Sequence, residues 1–278
     1  MIDAKKTLQL CNSITEEEAL KLDTSKWKSQ RKNDGERILA VVIKGEAILL
    51  NRNNKICNHH FQEIVDELKT FEDCIIDGEI ISQDGDFLKL QSRAMTQNIH
   101  KIKELTKTIP LFYKVFDILK VGEAEIMDKP LRERDTELTA LFQRRTGKLN
   151  AGLLKFVKQE DTGEIAEVLA KVKAEKGEGI VVKSLDAIYE HRRSDGWLKL
   201  KLVKEADIVV NKFEDNNAGI KVFSKDGNIE LQCSGEQHKE LKSLLQSKGE
   251  ATITIQYLSK NPITQKLRFP SYKKLVVE

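Results

Sequence analysis

The stretch RKNDGERILAVV, residues 31–42, sets a lysine, an aspartate and a glycine directly ahead of an apolar run. An Asp34-Gly35 pair is enough to make a turn before a strand. Lys32 and Arg37, on either side of that pair, are more than a turn requires. A lysine amine attacks only when uncharged. With an ordinary pKa near ~10.4, roughly one in a thousand is ready at neutral pH, a handicap of about 4 kcal/mol. A catalytic Lys32 therefore predicts that cations, a metal ion or desolvation converge on it from elsewhere in the chain. Gly35 permits close backbone approach or positive φ, and Arg37 suits phosphate or hydroxyl recognition. Read alone, the same residues also make a surface turn with solvated charges.

Around this stretch the apolar pattern alternates between strands and helices. RILAVVI, then Lys44-Gly45, then AILLNRN reads as a β-hairpin, and Phe61, Ile64, Val65 and Leu68 fall at helical spacing. CIIDGEIIS is a strand, SQDGDF a turn, residues 88–107 a basic helical stretch, and PLFYKVFDILK a buried strand. LRERDTELTALFQRR and TGEIAEVLAKVKAEKGEG read as helices, the second closed by its glycines, before strands GIVVKS and WLKLKL. After about residue 204 three short strands, one helix and two more strands follow, which is the order of an OB-type barrel.

With 278 residues, 40% hydrophobic and 33% charged, the chain has ample material for a core. A net charge of +3 neither demands nor forbids a polyanionic partner, so such a case rests on local clusters. No run is long enough to span a bilayer and the N-terminus lacks a secretory signal, so a cytoplasmic, non-secreted protein is expected. Cys11, Cys57, Cys74 and Cys233 are scattered and read as reduced thiols. Cys57, His59 and His60 lack the second ligand pair that a structural zinc site needs.

The order of short motifs resembles the ATP-dependent DNA ligases, within the covalent nucleotidyltransferases that also include RNA ligases and mRNA capping enzymes. KNDGER places Lys32 where the family's lysine takes AMP, and LLNRNNKICN places Arg52 at a second motif's arginine. IIDGEII aligns Glu79 with a carboxylate that binds the ribose and helps place metal, and KVFDIL aligns Phe116 with a ring that stacks on adenine. EGIVVKS carries Glu178 as a metal-associated carboxylate and Lys183 as a nucleotide contact, and WLKLK carries Lys199 and Lys201 as phosphate-binding lysines. Arg31 and Arg37 join the nucleotide site, and YEHRRSDG supplies Arg193 for a phosphate. LRFPSYKKL resembles the end of many ligase OB domains, so the similarity runs from about residue 25 to the end.

The resemblance implies an α+β protein. An adenylyltransferase domain, residues 1–203, of ATP-grasp-like antiparallel sheets with flanking helices would precede a small OB-fold β-barrel, residues 204–278. It implies ATP and Mg2+ (or Mn2+), a lysyl-AMP intermediate, and nicked double-stranded DNA as substrate, sealed by a monomer. Lys199 and Lys201 would lower the pKa of Lys32. DNA contact is expected from Arg52, from Arg93 in the basic stretch, and from Lys266, Arg268, Lys273 and Lys274 near the end, beside Phe269 and Tyr272. Only 31 residues precede Lys32, so no further DNA-binding domain is expected ahead of it, and short loops after residue 204 predict no DNA-encircling latch. The segment after RFP lacks a clear R-x-D-K ending, leaving Lys273 and Lys274 as candidates to orient pyrophosphate. The alternatives are an RNA ligase, a GTP-using capping enzyme, or a non-catalytic OB-containing DNA-binding protein.

Overall fold

A computed structural model describes residues 3–146, 152–156, 162–261, 264 and 266–276. The chain divides into two compact units, Met1–Leu200 and Lys201–Glu278.

The first unit is built on two sheets. In the larger, β3 (Glu36–Ile43) pairs with β4 (Glu46–Asn51) and β5 (Cys74–Ser82), and β5 pairs with β6 (Leu111–Val121), all antiparallel. The β3–β4 turn uses Lys44 at φ 52° and Gly45 at φ 75°, the two left-handed positions a twisted two-residue hairpin requires. Ile38, Ala40 and Val42 of β3 pack toward α3 (Gln62–Leu68) and α6 (Leu131–Thr146), through Ile64, Val65, Leu68, Leu138, Leu141 and Phe142. Leu39 faces the other way, into a cluster with Leu50, Ile75, Leu119, Tyr189 and Trp197. Both faces of β3 are therefore covered, which is why its sequence is an unbroken apolar run rather than an alternation.

The smaller sheet has the order β1 (Leu10–Ser13), β11 (Arg193–Lys201), β10 (Gly179–Ser184), β2 (Trp27–Arg31), β9 (Thr162–Gly163). Trp197 of β11 brings this sheet against the second face of the larger one. Two glycines permit the close approach of strands in the larger sheet. A Cβ at Gly35 would sit 2.1 Å from the Ile80 carbonyl oxygen and 2.8 Å from Cγ of Glu79, and one at Gly78 would lie 2.6 Å from the Lys114 carbonyl oxygen. No side chain fits at either distance, so Gly35 and Gly78 are packing requirements, the second of them inside strand β5 rather than at a turn.

The basic stretch at 88–107 is two helices rather than one, α4 (Phe87–Ala94) and α5 (Ile99–Thr108). The side chain of Asn98 accepts from the Lys101 amide and starts the second helix, a role its short polar side chain favours. The helix α7 (Ile165–Ala174) ends as the sequence predicts, but its left-handed position is taken by Lys176 at φ 54°, not by a glycine.

In the second unit β12 (Lys204–Asn216), β13 (Gly219–Ser224), β14 (Glu230–Cys233), β15 (Ala251–Tyr257) and β18 (Ser271–Leu275) form one antiparallel sheet in the order β14-β13-β12-β15-β18. Between β15 and β18, β16 (Ser259–Lys260) and β17 (Leu267–Arg268) make a separate small hairpin. Helix α8 (Gln237–Lys248) buries Leu241 and Leu245 against Val210, Ile220, Val222, Ile253 and Ile255. Part of the loop at 261–266, which bears on the expected lack of a latch, lies outside the described residues. Among the described residues no helix is long and apolar enough to cross a membrane. The cysteines are free, and burial pushes the thiol of Cys57 up to about 12.

Candidate active site

Lys32 follows β2, and its amide donates to the carbonyl of Gly179 at 2.8 Å, tying the residue to the start of β10. Its Nζ donates to Glu178 Oε2 at 2.7 Å, joining two motifs separated by 146 positions. A cleft of about 500 Å3 opens beside this pair, lined by Arg31, Lys114, Lys171, Lys176 and Phe112 among others. Burial alone would lower the Lys32 pKa, but the charges of Glu178, Glu79 and Asp34 more than offset it, and the amine is held above its ordinary value. This corrects the expectation that Lys199 and Lys201 would lower that pKa. Carboxylates dominate the surroundings of the amine, and Lys201 falls in the second unit.

Glu79 lies opposite Arg37 in the β3–β5 register. Burial, aided by the charges of Glu178 and Asp77 and opposed by Lys32 and Arg37, raises its carboxyl to about 7. Glu79 and Glu178 thus flank one amine. Two carboxylates suit Mg2+, which takes one or two from the protein and fills its remaining positions with phosphate and water. Among the described residues no group of three or more His, Cys, Asp or Glu side chains forms a metal cage, so a resident all-protein site of the calcium type is not the fit.

On the face of the larger sheet that points away from α3 and α6, Phe116 packs edge-on to Trp197, with ring centroids 5.9 Å apart. Between them sits the buried ammonium of Lys183, 4.5 Å from the Phe116 ring centre and 3.9 Å from that of Trp197, donating to the Phe116 carbonyl at 3.1 Å. Burial lowers its pKa to about 8, against the pull of Asp117 and Asp77. Arg37 is not presented to the cleft. Its Nε and Nη2 bind Asp77 at 3.0 and 2.6 Å, Nη1 binds the Gln9 carbonyl at 2.7 Å, and the guanidinium lies 5.4 Å from the Phe116 ring centre. The nucleotide role expected of Arg37 is corrected to a buried support: its fork is occupied by Asp77. Arg31 is ion-paired with Glu175 at the mouth of the cleft. Arg193 is exposed, and its guanidinium bonds the Cys11 carbonyl. Two buried donors, Nε2 of Gln30 and Nε1 of Trp197, have no partner. Gln30 stands two residues before Lys32, yet nothing in its sequence setting singles it out; an unmatched amide does.

Among the residues expected to meet DNA, Arg52 is exposed beyond β4. Arg93 is the clear correction: it is fully buried, donating to the carbonyls of His60 and Ile109 and to Glu63. Its charge fastens α4 to the 3-10 turn ahead of α3 and cannot reach a phosphate. Replacing Arg93 with Met should cost about 3 kcal/mol, because paired groups are left buried without their charge. A drop in Tm of roughly 5–10 °C is expected, with an unchanged salt dependence of DNA binding; a reduced salt slope at unchanged Tm would reverse the assignment. In the second unit Lys266 and Lys274 are exposed, whereas Lys273 is ion-paired with Glu205. Phe269 is 65% exposed at φ 51°, with Lys201 Nζ and the Arg268 guanidinium each 5.5 Å from its ring centre.

Residues 8–201 match the family described as the ATP dependent DNA ligase domain. A probable DNA ligase of Streptomyces coelicolor is 37% identical over 147 residues, covering 49% of this chain and 27% of that protein. DNA ligase 2 of Haloquadratum walsbyi is 31% identical over 193 residues, 66% of this chain and 30% of that one. The chain thus spans under a third of the length of these relatives. Among solved structures, a Lig E DNA ligase described as binding DNA with a minimal scaffold superimposes with a TM-score of 0.70 at 19% identity, over 99% of this chain and 100% of that one, a likeness of fold. With its Lys32–Glu178 pair inside the matched span, the chain belongs to the ATP-dependent DNA ligase domain family.

Proposed function

We propose that this chain is an ATP-dependent DNA ligase acting on nicked duplex DNA, with residues 1–203 as its adenylyltransferase domain and 204–278 as an OB-type domain. The observation that carries the reading is Lys32 Nζ at 2.7 Å from Glu178, beside a cleft of about 500 Å3 in a unit of the ligase domain family. In the reaction Lys32 attacks the α-phosphorus of ATP, pyrophosphate leaves, AMP passes to a 5′-phosphate, and the 3′-hydroxyl displaces AMP. These are phosphoryl-type transfers, in which alignment and charge stabilisation supply most of the catalysis. Glu178 holds the amine in place, and Gly35 and Gly78 allow the strand spacing that brings Glu79 up to it. Mg2+ at Glu79 and Glu178 would neutralise phosphate charge. Phe116, half-buried over Lys183 and Trp197, offers an aromatic edge to the base, and the unmatched Gln30 amide is a donor for a ring nitrogen of adenine. Phe269, flanked by two cations, with exposed Lys266, Lys274 and Arg52, gives salt-sensitive contact with DNA.

Incubation with α-labelled ATP or GTP, chased by nicked DNA or nicked RNA, tests this. Covalent label from ATP alone, discharged by nicked DNA alone, is the expected result. Label from GTP would select a capping enzyme, discharge by RNA alone an RNA ligase, and no label at all a non-catalytic binder.

A further inference from the structure

Helix α7 ends in a turn that faces Lys32. The Lys176 amide donates to the Lys173 carbonyl at 3.1 Å and the Gly177 amide to the Val172 carbonyl at 2.9 Å. This double bond pattern requires a left-handed residue just past the helix, and glycine is its ordinary occupant. Here the left-handed residue is Lys176, at φ 54°. The glycine comes one place later, where a Cβ would meet Val172 Cγ1 at 2.9 Å and Arg31 Nη1 at 3.2 Å. Gly177 thus serves close packing, and the left-handed place falls to a long cationic side chain whose backbone is disfavoured there. Such strain is a pointer to function.

The charges of the cleft say what that function is. Arg31 is paired with Glu175, Lys32 with Glu178, and Lys114 and Lys171 also have partners. Among the described residues, Lys176 is the one cation lining the cleft whose side chain has none. It stands two residues from Glu178, so their Cα atoms are at most ~7 Å apart, and Glu178 touches the attacking amine. A phosphate chain whose α-phosphorus lies against Lys32 Nζ brings its next phosphates within reach of the Lys176 ammonium.

We propose that Lys176 binds the β- and γ-phosphates of ATP and steadies pyrophosphate as it leaves. The inference rests on the ligase reading above and names the group that serves its first step. In that step the Lys32 nitrogen–phosphorus bond forms and the bridging Pα–O bond breaks. The bond's electron pair departs on pyrophosphate, and the amine's proton is lost to solvent. One added positive charge at the leaving group favours both departure and, in reverse, pyrophosphate entry.

Lys176→Gly and Lys176→Met separate this role from a structural one, since glycine suits the left-handed position and keeps the fold. Both variants should raise the KM for ATP in enzyme-AMP formation by about tenfold or more. Discharge of lysyl-AMP by inorganic pyrophosphate should weaken by a similar factor, with Lys176→Arg restoring most of both. Sealing of a pre-adenylated nick, which involves no pyrophosphate, should stay within about twofold of wild type. Unchanged pyrophosphate discharge in Lys176→Gly overturns the inference, as does an equal loss in sealing, which would assign Lys176 to the nick phosphate. Failure of the wild-type chain itself to form enzyme-AMP overturns the ligase reading instead.

Discussion

Lys32→Ala should form no covalent AMP adduct from labelled ATP, a loss of more than about 10⁴-fold, yet still close a nick already carrying 5′-AMP. The covalent bond is made at one nitrogen, and no neighbouring amine can substitute for it. Closure of the adenylated nick needs only the pocket and the 3′-hydroxyl, so the two steps should separate cleanly. Lys32→Arg should behave the same way in labelling while keeping a cation beside Glu178, whose side chain is only 6% exposed. Arginine therefore spares the fold, whereas alanine leaves a nearly buried carboxylate without its partner. Because Glu178, Glu79 and Asp34 hold the Lys32 ammonium above its ordinary pKa, the free chain carries the charged form at neutral pH. Adenylylation should thus rise with pH, approaching tenfold per unit while the ammonium predominates. A label on Lys32→Ala equal to wild type would end the assignment, and a flat profile from pH 6 to 9 would end the account of the amine's charge.

That Lys32 and Glu178 belong to one site was legible through the order of the motifs that carry them, but the ion pair between them was not, since cations rather than a carboxylate were expected beside the amine. The strands and helices of the first unit were legible because runs such as RILAVVI state how much apolar surface must be covered. Which charges are covered with it was not legible. Arg37 and Arg93 stand in patterns that fit exposed, phosphate-seeking arginines. What buries them is Asp77, 40 residues away, and Glu63 with the His60 carbonyl, 30 and 33 residues away. Burial of an ion depends on partners that only the register of β3 against β5, or the packing of α4, brings near. The same limit hid Lys183, read as a nucleotide contact, between two aromatic rings. It also hid Gln30, whose interest lies in a missing partner rather than in a residue pattern.

Glu79→Gln should make the nucleotide-free, metal-free chain more stable at pH 8 and nearly inactive in adenylylation. Burial first, and the charges of Glu178 and Asp77 after it, lift this carboxyl from 4.5 to about 7 in the folded chain. Between those values the folded chain holds a proton that the unfolded chain has given up, so stability falls as pH rises through the window. At 1.36 kcal/mol per unit, the full decline is on the order of 3 kcal/mol by pH 8. Glutamine keeps the shape and does not ionise. The Tm advantage of Glu79→Gln, measured in EDTA, should therefore be small near pH 4.5 and grow to roughly 5–10 °C at pH 8. Enzyme-AMP formation should meanwhile drop by about 10²-fold or more, since a carboxylate poised against the α-phosphate's counter-ion and the Lys32 amine has been neutralised. The stability lost at this position is then the cost of an anion kept ready beside the nucleophile. A Tm difference that stays constant from pH 4.5 to 8 would show that Glu79 ionises as freely in the folded chain as in the unfolded one, and that its burial serves packing alone.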